Sequence, residues 1–595
     1  MKQIHTFHIP VMGLSYTIDT PIRVAHYGID SVVSIVDDEL AERMRAFFCS
    51  SFNRPYIAIT TKMYDFRANR ITAYLNLLDE LVKQKFTEFY NEIACNRQKL
   101  DNFLSMLPKT SGIGKSLRNY FVQNPESCPN GSHKEFLPGS IDVNIMTKVD
   151  KANYDNKTLL PFQYNDAHAA LRGFANSTLN SSLVLSAGMN PSLYSYIATF
   201  KDFFPDEKGE FKKRIVLKVS DFRSAMVQGC FLAKKGIWVS EYRVESGLNC
   251  GGHAFATDGL LLGPIMEDFK NRRGELAATT YELLVRALCE KNFVIPMVKP
   301  RLRITVQGGV GTSEEHDFLL DYYNVDSVGW GSPFLLVPEA TATDKATRKL
   351  LAQACESDLY RSDLSPLGVP FNTVLGTTND FYKMQRIKAQ KPGSSCPKKL
   401  LALNKEFGEE GICTASRKYQ QIKLDEIESE QELLLPEIIK ERSRAITVKA
   451  CLCVGLANSA YVEKDIQIKG EKQGVVVCPG PNMAYFDKEV SLHQMVRHIY
   501  GYTSILADRY RPNMFIKELE LYLNYLKNEA GRELHGAAKA QAKRWRLFKD
   551  NLLEGVSYYE AMFNGTVPFG CDKDFIIGKL AEYKTGIQGI VLPEG

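Results

Sequence analysis

The sequence predicts an α/β fold: a (β/α)8 barrel of the TIM type, with a helical insertion and a mostly helical, cysteine-bearing C-terminal region. Three observations predict it. Short β-branched runs recur through the first 340 or so residues, helical segments separate many of them, and the last two runs each end in a glycine-rich turn. Apolar runs of such low polarity suit parallel strands buried on both faces. Strand–helix alternation is the mark of βαβ units.

The strand candidates, in order, are HIPVMGL (8–14), SVVSIV (31–36), IDVNIMTKV (141–149), SLVLSAG (182–188), RIVLKV (214–219), GIWVSEYRVE (236–245), RLRITVQGG (301–309) and VDSVGWGS (325–332). FRSAMVQGCFLAKKG (222–236) carries apolar residues at helical spacing and stops on glycine, as do 275–291 and SEEHDFLLDYYN (313–324) in spacing. Eight such strands can close into a barrel, although their spacing does not require it. The expected barrel is 1–50 with 136–345. Residues 51–135 interrupt it with a helix-rich stretch (68–107) and the loop NPESCPNGSHKEFLPGS, read as an insertion between the first and second βα units, over the barrel mouth. Residues 346–595 form a C-terminal extension, with a cysteine-bearing segment at 392–482 and a helical tail.

Bulk composition bounds the function. The 595 residues are 44% hydrophobic and 24% charged with net charge +5, too small a charge for a general nucleic-acid or membrane partner. No run of about 18 apolar residues suggests a spanning helix, and the N-terminus reads as a first strand, not a signal peptide. Thirteen scattered cysteines fit reduced thiols better than a secreted disulfide framework. The expected location is cytoplasmic. The basic stretch Lys539, Lys543, Arg544 and Arg546 around Trp545 reads as a solvated helix face, and Phe515, Leu519, Leu523 and Leu526 as the buried face of a helix.

In a barrel of this type ligands bind at the C-terminal strand ends, and a phosphate usually sits after strands seven and eight. Glycine turns let backbone N–H groups approach it. Here VQGGVGTSEE (306–315) opens into a helix and VGWGSPF (328–334) follows the next strand. Two such turns in succession suit a phosphate held between them and a helix N-terminus.

The order SLVLSAGMNPSLYSY, KVSDFRSAMVQGCFLAKKG, ESGLNCGGH, VQGGVGTSEE, VGWGSPFLLVPE resembles the nitronate monooxygenase and FMN-dependent enoyl reductase superfamily. Within it, the chain is most similar to the enoyl reductase component of polyunsaturated fatty acid synthases. VPEATATDKATRKLLAQA and FYKMQRIKAQ extend the similarity, which covers roughly 8–390 in pieces. The resemblance implies FMN, with phosphate contacts from Gly308, Gly309, Gly311, Gly329, Gly331 and Ser332 and ring contacts from Met12, Gly13 and Asn144. It also implies that His253, after Cys250-Gly251-Gly252, faces the flavin as a general base, or as a proton donor or substrate anchor. An imidazole of ordinary pKa near 6.5 can give or take a proton at neutral pH. Cys250 departs from the family, which has a small or acidic residue there.

Cys396, Cys413, Cys451, Cys453 and Cys478 lie near proline or glycine, in irregular spacing without a C-x₂-C pair. They read either as buried thiols or as ligands of zinc or an iron–sulfur cluster. The expected function is an FMN-dependent oxidoreductase, enoyl-reductase-like or nitronate-monooxygenase-like, acting on a small organic or acyl substrate. With no G-x-G-x-x-G after a strand, NAD(P)H would bind only transiently as electron donor. Homo-oligomerisation or a carrier-protein partner stay open; nucleic acid and membrane are not expected. The alternative is an iron–sulfur or zinc-bearing binding or assembly protein on a barrel scaffold.

Overall fold

The structure is a computed structural model and describes residues 4–109, 136–186, 188–467, 474–532, 539–565 and 572–592, with isolated residues at 112, 115, 116, 119 and 569. Residues 124–135 of the insertion loop lie outside the described residues. Eight parallel strands form a closed barrel. They are β1 (Phe7–Ile9), β2 (Asp30–Ser34), β3 (Ile141–Ile145), β4 (Ser181–Leu185), β5 (Lys213–Val219), β6 (Val239–Glu245), β7 (Arg303–Gln307) and β8 (Ser327–Gly329). Each pairs with the next, and β1 closes the ring by pairing with β8 at Phe7–Val328 and His8–Gly329. All eight predicted runs overlap a barrel strand, so the (β/α)8 expectation holds.

The expectation of strands apolar on both faces holds only outside the ring. Along β6, Tyr242 and Val244 point outward into the main core, while Glu241, Arg243 and Glu245 alternate inward. In β7, Ile304 and Val306 point outward, and Arg303, Thr305 and Gln307 inward. The interior is therefore divided. Val32, Val184 and Val216 make an apolar patch, and beside it Arg243 holds Glu241 at 2.6 Å, with Thr305 donating to the same carboxylate at 2.7 Å. Burial pushes the Glu241 carboxyl up, but Arg243 and Arg303 outweigh it and hold it down at about 2.

The outer ring includes α1 (Asp38–Ser51), α2 (Phe66–Cys95), α3 (Asp166–Ala175), α4 (Phe222–Ala233), α5 (Leu262–Glu290) and α6 (Ser313–Asp321). α4 is capped by the Asp221 side chain, which accepts from Ser224 N, and α6 by Thr312, which accepts from Glu315 N. α5 begins thirteen residues before the predicted stretch. The insertion expectation needs correction. It falls between β2 with its helix and β3, and none of its described residues borders the barrel mouth. Instead α2 lies in the outer ring against α1 and α3. Its buried stripe, Ile71, Tyr74, Leu75, Leu78 and Leu81, joins the main core, because a stripe that wide has to be covered to be stable.

The C-terminal extension shares that core instead of building its own. α7 (Leu452–Glu463) is buried along nearly its whole length. α8 (Met514–Arg532) buries Phe515, Leu519, Leu523 and Leu526 as expected. α9 (Lys539–Gly565) and α10 (Lys573–Gln588) pack on α8. On α9 Trp545 is buried against Tyr525 and Phe548, while Lys543, Arg544 and Arg546 are exposed; the side chain of Lys539 lies outside the described residues. Among the described residues no single helix is long and apolar enough to cross a membrane. One bent pair, Pro436–Thr447 with Leu452–Glu463, reaches that length and composition only together.

Candidate active site

A cavity of about 700 Å³ opens at the C-terminal end of the barrel. Every strand reaches it, through its last residues or the first one beyond: Pro10, Ser34, Asn144, Ser186, Lys218, Glu245, Gln307 and Gly329. The parallel ring aims all eight strand ends at one mouth. At its floor, Lys218 Nζ sits 2.9 Å from Glu245 Oε1, and Gln307 Nε2 donates to the same oxygen at 2.5 Å. Buried Asn144 Oδ1 has no hydrogen-bond partner among the described residues, which leaves an acceptor for a bound molecule.

The Gly308 and Gly309 turn borders the cavity, and only glycine fits it. Gly308 has φ +128° and Gly309 φ +81°, and a Cβ on Gly309 would fall 2.0 Å from Asn249 Nδ2. Gly329, Gly331 and Ser332 line the adjoining wall. Ser332 Oγ accepts from Gly480 N at 2.8 Å, so its own proton is free to be donated. Gly311 is different. It lies outside the cavity, and its N–H donates to Glu315 at 2.8 Å, so the expected phosphate contact from that amide is already taken. Arg511 closes the back of the turn. Its guanidinium grips Glu315 at 2.7 and 2.8 Å and donates to Gly309 O at 2.6 Å and Asn482 Oδ1 at 2.9 Å.

The extension roofs the mouth. Leu367, Val369, Phe371, Leu456 and Val477 give it an apolar lining, and Met12 and Gly13 meet it from the first loop. The loop after β6 is stitched to this roof: Gly252 N donates to Cys478 O at 3.1 Å, Asn372 N to Gly252 O at 2.9 Å, and Ala254 N to Pro370 O at 2.9 Å. His253 therefore stands eight residues beyond the strand end, held by the roof. Its Nε2 is 2.7 Å from Ser365 Oγ and its ring meets Phe371 edge-on at 5.0 Å. Burial pushes its pKa down to about 4. At neutral pH it is a neutral imidazole, suited to accept a proton or orient a substrate and not to store a proton. Cys250 Sγ donates to Gln307 O at 3.5 Å, and burial pushes its thiol far up, so it stays protonated.

His5, His26 and His253 are pushed by burial to about 4 and His316 to about 3, against 6.5 unfolded. As pH falls from 6.5 towards 4, the unfolded chain takes up protons that these folded imidazoles refuse, so they remove stability in that window. Asp30 and Glu518, raised by burial to about 6 and about 7, act oppositely. His8, His493 and His498 are lowered as well, and Asp37, Asp166 and Asp317 raised, so the imidazoles held down outnumber the carboxylates held up and stability falls across the window. Urea midpoints should therefore fall between pH 6.5 and pH 4.5; a flat or rising midpoint would contradict this.

The five cysteines do not come together as one ligand set. Among the described residues no group of three or more His, Cys, Asp or Glu side chains is placed to hold a metal ion. Cys478 lies apart, in the cavity lining, where Gly13 and Gly252 amides face its thiol. Cys396, Cys451 and Cys453 do hydrogen-bond one another, and those bonds pull the Cys396 thiol below its ordinary range. Cys413 is a buried thiol beside them, pushed up to about 11 by burial. This is thiol packing, with the extension wrapped around it.

Sequence reasoning missed Lys218, Glu245, Gln307 and Arg511. The alternating polar residues of RVE (243–245) and RITVQ (303–307) carried the signal for Glu245 and Gln307. Nothing local marks Arg511, whose partners Gly309 and Glu315 lie about two hundred residues away.

No protein-family model matches the chain, and no curated protein matches it. Solved structures do. One is the crystal structure of the enoyl reductase domain of MlnA from the macrolactin biosynthesis cluster of Bacillus amyloliquefaciens. It aligns over 71% of this chain and 89% of its own, at 14% identity and a TM-score of 0.31. A likeness at that level carries no inference about activity, and the barrel rests on its closed ring of strands.

Proposed function

We propose that this protein is an FMN-dependent oxidoreductase that reduces an activated double bond in an acyl substrate at the barrel mouth. The observation that carries the reading is the cavity itself, where eight strand ends, two adjoining glycine turns and the unpartnered Asn144 oxygen meet. Gly308, Gly309, Gly329, Gly331 and Ser332 would hold the phosphate, and Met12, Gly13 and Asn144 the ring. FMN, when bound, supplies hydride chemistry that side chains lack.

The chain's own residues supply the rest. The Lys218–Glu245–Gln307 chain places fixed charge and donors at the cavity floor, where low dielectric strengthens them. The apolar roof excludes water and suits an acyl chain, which favours enoyl reduction over nitronate oxidation. Neutral His253, fixed by Ser365, orients the substrate. NAD(P)H would serve as a transient electron donor.

The test is anaerobic. NAD(P)H should bleach the bound flavin, and an α,β-unsaturated acyl thioester should restore its colour with the saturated product formed. Bleaching by an alkyl nitronate and not by NAD(P)H, with the nitronate consumed only when oxygen is admitted, would move the reading to a monooxygenase; a flavin whose colour the thioester does not restore, and which a nitronate does not bleach, would overturn it. His253→Ala should keep the flavin and lower kcat about 100-fold. Unchanged kcat would take His253 out of the reaction.

A further inference from the structure

Glu518, on α8, is 2% exposed and has no role in the site so far. Ser246 Oγ donates to its Oε1. Leu262 N, the first amide of α5, donates to its Oε2 at 2.8 Å, and Tyr559 OH lies 3.5 Å from that oxygen. Ser246 lines the cavity one residue beyond β6. It stands against the glycine turn: a Cβ on Gly308 would fall 2.7 Å from Ser246 Cβ. A fully buried carboxyl thus reaches the cavity through a single hydroxyl.

Among the described residues no cation pairs with Glu518. The titratable groups facing it are Tyr522 from α8 itself, Tyr559 from α9 and Cys250 from the loop after β6. Burial therefore dominates and pushes the carboxyl up to about 7, against the hydrogen bonds from Ser246, Leu262 and Tyr559. Near neutral pH both protonation states are populated. Ser246 Oγ also accepts from Asn249 N at 3.3 Å. If protonated Glu518 donates to it as well, both its lone pairs are engaged and its own hydrogen is turned to the cavity.

We propose that Glu518 is the proton reservoir of this cavity, acting through Ser246. The Ser246 O–H bond breaks as its proton passes to an acceptor in the cavity. The Glu518 O–H bond breaks with it, and that proton forms the new Ser246 O–H. Glu518 is left as a carboxylate, stabilised by the Leu262 amide at the positive end of α5. Cavity water returns a proton by the reverse path. Glu518 touches no reacting atom and is a positioning residue. The proposal rests on the reading of the cavity as a site of reduction, a reaction that consumes one proton with each hydride, and it supplies the donor that neutral His253 cannot be.

Infrared pH titration of the full protein, wild type minus Glu518→Gln, isolates the carboxylic acid band of Glu518. The band should titrate near pH 7, and Ser246→Ala should shift its midpoint. A band titrating with ordinary carboxylates near pH 4 would overturn the proposal. In turnover, wild type should slow as pH rises through 7, while Glu518→Gln and Ser246→Ala should be about 100-fold slower and lose that limb. Ser246→Thr, which keeps the hydroxyl, should restore it. Persistence of the limb in both Gln and Ala variants would overturn the proposal. Should Glu518→Gln fail to fold, the Ser246 pair decides. The infrared titration needs no substrate, so loss of the reductase reading and loss of the reservoir are distinguishable.

Discussion

Replacing Gly309 by alanine is expected to abolish FMN retention while leaving the barrel folded. Gly309 has φ +81°, where an L side chain costs about 1–2 kcal/mol. The new methyl would also fall 2.0 Å from Asn249 Nδ2. Asn249 is buried and donates to Met514 O at 3.2 Å, so it cannot swing away without breaking its hold on α8. Overpacking of this kind costs about 1–3 kcal/mol, and the turn relieves it by moving into the space a phosphate would need. A combined loss of about 3 kcal/mol corresponds to roughly a 100-fold weaker FMN affinity. Fluorescence titration of the stripped protein with FMN measures it. Gly252→Ala is the contrast: its φ is +82°, but no atom lies within 4 Å of the added Cβ, so only the conformational cost remains. Equal affinity in wild type and Gly309→Ala would show that the turn does not hold the phosphate.

Arg511→Ala should be the most destabilising single change near the site, by about 3–5 kcal/mol. Arg511 is 7% exposed and Glu315 1%, and the pair is bidentate. Removing the guanidinium leaves a buried carboxylate supported, among the described residues, only by the amides of Gly311 and Met514. It also frees Gly309 O and Asn482 Oδ1, so the turn and the roof lose their common anchor. Arg511→Lys should recover only part of this, because an ammonium cannot engage both carboxylate oxygens and two further acceptors in one plane. Urea unfolding at pH 7.5 measures the difference. A loss below about 1 kcal/mol would mean that Arg511 is a bystander.

The fold was legible because a barrel strand is a local object. Each run of β-branched residues, with its turn, is written within a few positions: SVVSIV became β2 with shifts of one and two residues at its ends, and β3 took the first five residues of IDVNIMTKV. Polarity was the misleading cue: the inward faces of β6 and β7 carry charge, and Glu241 and Glu245 of β6 are held by Thr305 and Gln307 of the neighbouring strand, some sixty positions away. The glycine turns were legible because steric need leaves a signature in composition. Gly311 shows the limit of that signature, since a glycine required by the close approach of Arg511 looks the same as one required by a ligand. The cysteines misled for a related reason. Thiols that pack together have the same sequence spacing as thiols that bind metal. Arg511, Ser365 and Glu518 were beyond reach, because each acts through a partner more than a hundred residues away.

The central claim is that this cavity holds FMN. The visible absorption spectrum of the purified protein, after incubation with FMN and removal of the free cofactor, tests it most directly. A flavin spectrum at about one FMN per chain is expected, and its loss in Gly309→Ala. A colourless protein that takes up no FMN would contradict it.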